Sequence, residues 1–321
     1  MFNIVTIYAI HKAATIAKPL KTLLLHLAFS DVAVGLFGQP LYISLLIKWL
    51  RMENPSCNAY LILSISGALL SLASSLGVLV VSMERFLAVH LHLRYQELVT
   101  HKRVVYMVIS MWVYSTFVSL TTLWGLRSTR DAIGLASAAI GFILILVFYI
   151  KIYLTVRRHK NQMQSMQIQG EAQSDEIKKF AALIKSTISI FYVTIVLAIC
   201  YLPFQICSAG FRIYGSSTAL KKFNLLSLTL IFLNSSLNPV IYCWKMRHVR
   251  RAIIDILRKM SRSRNQSPRL IVDTRDLLST MIADFIFNSF LTYTAIILNV
   301  VTIYAVHKAS TTAKAVESFL F

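Results

Sequence analysis

The stretch LAFSDVAVGLFGQP, residues 27–40, holds one acid, Asp31, about midway along an apolar block that covers residues 20–47. A membrane-spanning helix needs about 20 consecutive, mostly apolar residues. A charge at mid-membrane costs about 2.5 to 3.5 kcal/mol on insertion scales. The block is long enough to span, so Asp31 is a functional candidate by default.

Five more blocks of spanning length follow, at residues 57–90, 104–126, 132–154, 181–206 and 223–244. The chain has 321 residues, of which 56% are hydrophobic and 14% charged. A soluble domain carries about 25% charged residues. Lys and Arg gather between the blocks and bring the formal charge to +20. Such a charge in a soluble protein would suggest nucleic acid, but basic connectors between spans orient a membrane protein. No nucleic-acid partner is expected, and membrane lipids are. The more basic connectors include Lys12, Lys18 and Lys21, then Arg94, Lys102 and Arg103, then Arg157, Arg158 and Lys160, then Lys245, Arg247 and Arg250. The positive-inside rule puts this set in the cytoplasm. The alternate connectors, residues 48–55, 127–131 and 212–222, are shorter and less basic. Residues 245–260 have apolar positions at helical spacing among basic ones and read as an amphipathic helix on the inner leaflet. Residues 162–176, rich in Gln, Ser and Glu, read as a loop. No basic leader with a small-residue cleavage site precedes the first block, so no cleaved signal peptide is expected.

Other polar residues lie at the depth of Asp31. Ser74 stands midway in the second block, and Asn234, Ser235 and Asn238 stand in the last. Oxygen ligands around one carboxylate suit a hard monovalent cation or ordered water. Polar contacts that hold helices together are the alternative. Pro203 and Pro239 each remove a backbone hydrogen bond from a helix and permit a kink. Glu84 and Arg85, followed by Phe86, close the second block at its inner edge. Cys57, Cys200, Cys207 and Cys243 show neither metal-ligand spacing nor C-x-x-C. No Ser/His/Asp order, phosphate loop or zinc motif appears at the helix edges, so enzyme chemistry is not expected.

Together these residues resemble the rhodopsin-like (class A) G-protein-coupled receptors. LAFSD resembles the family's second-helix motif, with Asp31 as the sodium-site carboxylate. SMERF resembles its Asp/Glu-Arg-Tyr motif, through Glu84, Arg85 and Phe86. Trp112 fits the fourth-helix tryptophan, and Asn3 the first-helix asparagine. CYLP, with Cys200, Tyr201 and Pro203, resembles Cys-Trp-x-Pro. NPVIY, with Asn238, Pro239 and Tyr242, is the seventh-helix Asn-Pro-x-x-Tyr. Within the family, ERFLAVHLHLRYQELVT and FYIKIYLTVRRHKNQM look most like adenosine receptors, which makes Tyr149 the switch tyrosine.

The resemblance implies an all-α bundle of seven membrane helices in residues 1–260, with a truncated first helix and an amphipathic cytoplasmic helix after the seventh. It implies a plasma-membrane receptor that passes binding of an extracellular small molecule or peptide to a heterotrimeric G protein. Arg85, Tyr149 and Tyr242 would meet the G protein after the sixth helix pivots at Pro203. Gly67, Gln205 and Ser208 would face the ligand. A non-signalling or truncated relative is the alternative, with a transporter behind it. The departures lie on the ligand side. Cys57 is three residues farther from Arg85 than the family's disulfide cysteine, and the outer loop WGLRSTRDAI has no cysteine, so no such disulfide is expected. Gly67 replaces the aspartate of amine receptors, and Ser208 the asparagine of adenosine receptors. No acid stands near Leu183, where an inner ionic lock would begin, so Arg85 is left to Glu84.

The segment NIVTIYAIHKAATIAK, residues 3–18, recurs as NVVTIYAVHKASTTAK, residues 299–314, with twelve of sixteen positions identical. Residues 278–321 therefore resemble the first helix of a second receptor copy, joined through a linker at 261–277. The sequence leaves open whether this join belongs to one protein.

Overall fold

A computed structural model describes residues 2–12, 16–51, 53, 56–91, 94–165, 172–215 and 217–245. The amphipathic stretch past Lys245, the linker and the repeat at 278–321 lie outside the described residues. So do the side chains of Asn238, Pro239 and Tyr242, although their backbone is helical.

The described chain is all helix. α1 (Phe2–Lys12) is a short stub, and α2 (Lys18–Ala33) runs through one π-helical turn (Val34–Gly38) into α3 (Gln39–Leu50). Next come α4 (Cys57–Leu91), the single-turn α5 (Tyr95–Leu98), α6 (His101–Leu120), α7 (Arg127–Ser165), α8 (Ala172–Tyr214) and α9 (Thr218–Lys245). Pro19 starts α2, where its missing N–H would have had no partner. The Thr100 side chain caps α6 by accepting from the Arg103 N–H at 3.5 Å. A 3₁₀ turn (Thr121–Trp124) after α6 ends on Gly125, whose φ of 74° is the left-handed conformation that favours glycine. The loop expected over residues 162–176 is shorter than its composition suggests: α7 continues to Ser165 and α8 begins at Ala172. Gln, Ser and Glu there are polar without being strong helix breakers.

Among the described residues, five helical segments are long and apolar enough to cross a membrane: Lys18–Lys48, Cys57–Leu91, His101–Trp124, Arg127–Arg158 and Ser186–Tyr214. In the first, 50% of the most apolar window is buried within the bundle, against 11% in the Arg127–Arg158 span. That span turns Ile143, Leu146, Ile150 and Tyr153 outward. An apolar exterior this extensive is suited to lipid, not water.

α4 is the central helix and packs against α2, α6, α7 and α8. The core joins Leu23, Leu24 and Leu27 of α2, Val78 and Val81 of α4, and Ile190, Val193 and Leu197 of α8. Gly77 allows α2 and α4 to approach: a Cβ there would stand 2.7 Å from His26 Nε2 and 2.9 Å from Leu27 Cδ2. His26 then reaches Ala73 O at 3.1 Å, while Trp112 Nε1 donates to His26 Nδ1 at 3.1 Å. Accepting at Nδ1 leaves Nε2 to carry the proton that the Ala73 carbonyl accepts. This bond network draws α6 onto α2 and α4. The α1 stub is anchored at both sides, packing on α2 and donating from Asn3 Nδ2 to Ser235 O of α9 at 3.0 Å.

Candidate functional site

Three layers of polar residues cross the bundle. In the middle layer Asp31 is 2% exposed and Asn234 1%, with Ser74 and Ser235 also buried. Ser74 Oγ donates to Ser30 Oγ at 3.1 Å, linking α4 to α2 beside Asp31. Tyr201 of α8 reaches Ser71 and Ser74 of α4. The buried Oδ1 atoms of Asn3 and Asn234 have no hydrogen-bond partner among the described residues. Such acceptors are costly unless a donor, water or cation meets them. Ser30, Ser71 and Asn3 thus join the layer. Sequence position alone marks Ser30, the neighbour of Asp31, but gives no reason to choose Ser71.

One end of the bundle holds a buried ion pair. Arg85 Nε donates to Glu84 Oε2 at 2.5 Å, and Nη2 donates to Oε1, so the guanidinium grips both oxygens. The Tyr95 hydroxyl of α5 donates to the same Oε1. Burial, and after it the adjacent Glu84 charge, raises the Tyr95 phenol above its ordinary value. Phe86 stacks between His90 (centroids 5.3 Å apart) and Phe148 (5.4 Å). It turns toward α7, away from the ion pair. Tyr149 of α7 bonds Thr194 Oγ1 of α8 at 3.2 Å and packs on Phe191 at 4.6 Å. Tyr95 is the residue that sequence reasoning missed here. It lies in the quoted loop segment, but eleven positions from Glu84 across a helix end, which no periodicity encodes.

The opposite end is built on arginines. Arg130 Nη1 donates to Ser64 Oγ at 2.7 Å and Thr122 Oγ1 at 2.8 Å, and its Nε and Nη2 donate to Asp131 Oδ1. Arg127 donates to the Tyr60 hydroxyl at 2.5 Å and lies 5.1 Å from that ring's centroid. Arg212 of α8 donates to Ser128 O. Gly67 is exposed on α4, with open space where a Cβ would be. Gln205 and Ser208 are half-buried on α8, two and five residues beyond Pro203, and no hydrogen bond among the described residues joins them to Gly67. Cys57, Cys200 and Cys207 are free thiols.

The chain matches the model of the 7 transmembrane receptor (rhodopsin family) over residues 2–133 and 129–242. Adenosine receptor A2a of Homo sapiens is 23% identical over 288 residues, which cover 80% of this chain and 68% of the receptor. Adenosine receptor A2b of Gallus gallus is 23% identical over 316 residues, covering 86% and 90%. Histamine H2 receptor of Canis lupus familiaris is 25% identical over 284 residues, covering 82% and 77%. The family match takes in the middle polar layer and both charged ends, and with it the chain belongs to the rhodopsin family of seven-transmembrane receptors, the G-protein-coupled receptors.

Proposed function

We propose that the chain acts in the plasma membrane, with the Glu84–Arg85 end in the cytoplasm, and passes the binding of an extracellular small molecule or peptide to a heterotrimeric G protein. The observation that carries this reading is the buried Arg85, gripped by its neighbour Glu84 with Tyr95 on the same carboxylate. Both charges belong to one helix. No acid stands near Leu183 in the sequence, and among the described residues Arg85 is ion-paired to Glu84 alone.

The ligand shifts the balance between two packings only by as much as it prefers one of them. Pro203 leaves α8 short of one backbone bond and provides a pivot inside the helix. Swinging the inner half of α8 outward parts Tyr149 from Thr194 and uncovers Arg85. Arg85, Tyr149 and Tyr242 then offer a cation and two phenols to the G protein. Tyr201, two residues before the pivot and next to Ser71 and Ser74, couples that motion to the middle layer. The work is binding and rearrangement, with no chemistry on the ligand.

In cells expressing the receptor, a G-protein signal without added ligand is expected to exceed that of untransfected cells, and Arg85→Ala to remove the excess at matched surface expression. A signal no higher than background would refute the reading. The same assay, with a ligand panel that includes adenosine, tests the ligand side.

Asp31, Ser74, Asn234, Ser235 and Asn238 suit a sodium ion, a reading supported by the buried, unbonded Oδ1 of Asn234. A bound sodium would supply a positive charge against the Asp31 carboxylate. The Ser74–Ser30 bond favours the alternative, in which these groups simply hold helices together. Sodium chloride should raise the melting temperature of the purified receptor above that in choline chloride of equal ionic strength, and Asp31→Asn should erase the difference. Equal melting in both salts would leave the helix-contact reading.

A further inference from the structure

We propose that Arg127, Arg130 and Arg212 form an anion-binding vestibule at the outer mouth, so that the extracellular ligand bears a carboxylate or phosphate group. The inference rests on the orientation proposed above. The three connectors at this end, residues 48–55, 127–131 and 212–222, hold seven basic residues against two acidic ones. The positive-inside rule gives no reason for a basic excess on the outer side. The excess is also drawn together. Arg127 and Arg130 meet Tyr60 and Ser64, one turn apart on α4, and Arg212 crosses from α8 to the Ser128 carbonyl between them. Among the described residues, Asp131 is the only carboxylate in ion-pair contact with this group.

The three cations differ in what holds them. Arg130 is spent: two hydroxyls and Asp131 take its donors. Arg127 and Arg212 rest on neutral acceptors, a phenol and a peptide carbonyl. A bond to an ionised acceptor is roughly twice as strong as one to a neutral acceptor, and a guanidinium fork matches carboxylate and phosphate oxygens. An incoming anion therefore outcompetes the present partners of Arg127 and Arg212, while Arg130 keeps the loop on α4. α7 also begins at Arg127, so its unpaired N–H groups add positive potential there. Exposed Gly67, one turn below Ser64, leaves room for the rest of a ligand beneath the anion. Releasing Arg212 from Ser128 would also free the outer end of α8, the helix that carries Pro203.

Full-length receptor in nanodiscs of zwitterionic phosphatidylcholine would be titrated with succinate and with inorganic pyrophosphate, and binding read by calorimetry and by thermal melting. No G protein is present, so a failure of coupling does not affect the result, and a failure to bind does not affect the coupling assay. At least one probe should bind saturably and raise the melting temperature. Arg127→Gln with Arg212→Gln should weaken that binding at least tenfold, and the Lys pair, which keeps the charge but not the fork, should weaken it less. If the double variant does not fold, Arg212→Gln alone, on an exposed side chain, should weaken binding at least threefold. The proposal is overturned if neither probe binds, if the Gln variants bind as the wild type does, or if stabilisation appears only in discs containing phosphatidylglycerol, which would make the site a lipid-headgroup contact.

Discussion

Each end of the bundle buries an arginine beside an acid that is its neighbour in sequence, yet the two pairs are built differently. At the Glu84–Arg85 end both side chains are hidden, with 2% and 5% exposed. At the Arg130–Asp131 end the arginine is hidden at 8%, while its acid is 44% exposed. The first pair depends on its own completeness, since removing one partner leaves a charge buried alone. The second spreads the arginine over two hydroxyls and a hydrated acid, so no single partner is indispensable. A pair of the first kind suits a switch, and one of the second kind suits an anchor.

The contrast can be broken most severely at Glu84. Glu84→Ala strands Arg85 and removes the acceptor of Tyr95, and should cost the closed packing about 3 to 5 kcal/mol. The purified receptor should melt lower while its ligand-free G-protein signal rises. An unchanged melting temperature would mean that the pair contributes no net stability. Arg130→Ala should cost less, about 1 to 3 kcal/mol, because Asp131 can return to water and Ser64 and Thr122 lose one bond each. Its thermal melting should fall without the rise in signal. If Arg130→Ala raised the signal as much as Glu84→Ala, the division into switch and anchor would fail.

Tyr95→Phe should have the smallest effect, about 0.5 to 1.5 kcal/mol, since Glu84 keeps both bonds from Arg85. This variant has a pH signature. The folded Tyr95 phenol titrates above its ordinary value of about 10, mainly because it is buried. Above that pH the unfolded chain loses a proton that the folded chain keeps, so stability falls as pH rises. Below it the two states bind the same number of protons and the slope vanishes. Melting measured from neutral to strongly alkaline pH should therefore be flatter in Tyr95→Phe than in the wild type.

Much of this was legible in the residues. Block lengths, the spacing from Gly67 to Arg85, and an acid at mid-span in residues 27–40 are local properties, and each has a physical consequence fixed by bilayer thickness and helix rise. They suffice for a membrane bundle, its motif order and the middle-layer candidates. The π-helical turn at Val34–Gly38 was not read from the sequence, although Pro40, which has no N–H for the Leu36 carbonyl, marks a break in the helix there.

The sequence by itself determined the long apolar helices, which polar residues fall midway along them, and that Glu84 and Arg85 adjoin. Only the tertiary structure decided the long-range partners: Asn3 on Ser235, Trp112 on His26, Tyr95 on Glu84, and Arg127 on Tyr60. The reason lies in the surroundings of the helices. In water, an apolar stripe shows which face of a helix turns inward. Here α6, α7 and α8 also turn many large apolar residues outward, so no stripe reveals how each of them is rotated. Rotation is settled by close packing at Gly77 and by buried polar groups finding partners, and both require the neighbouring helices to be in place.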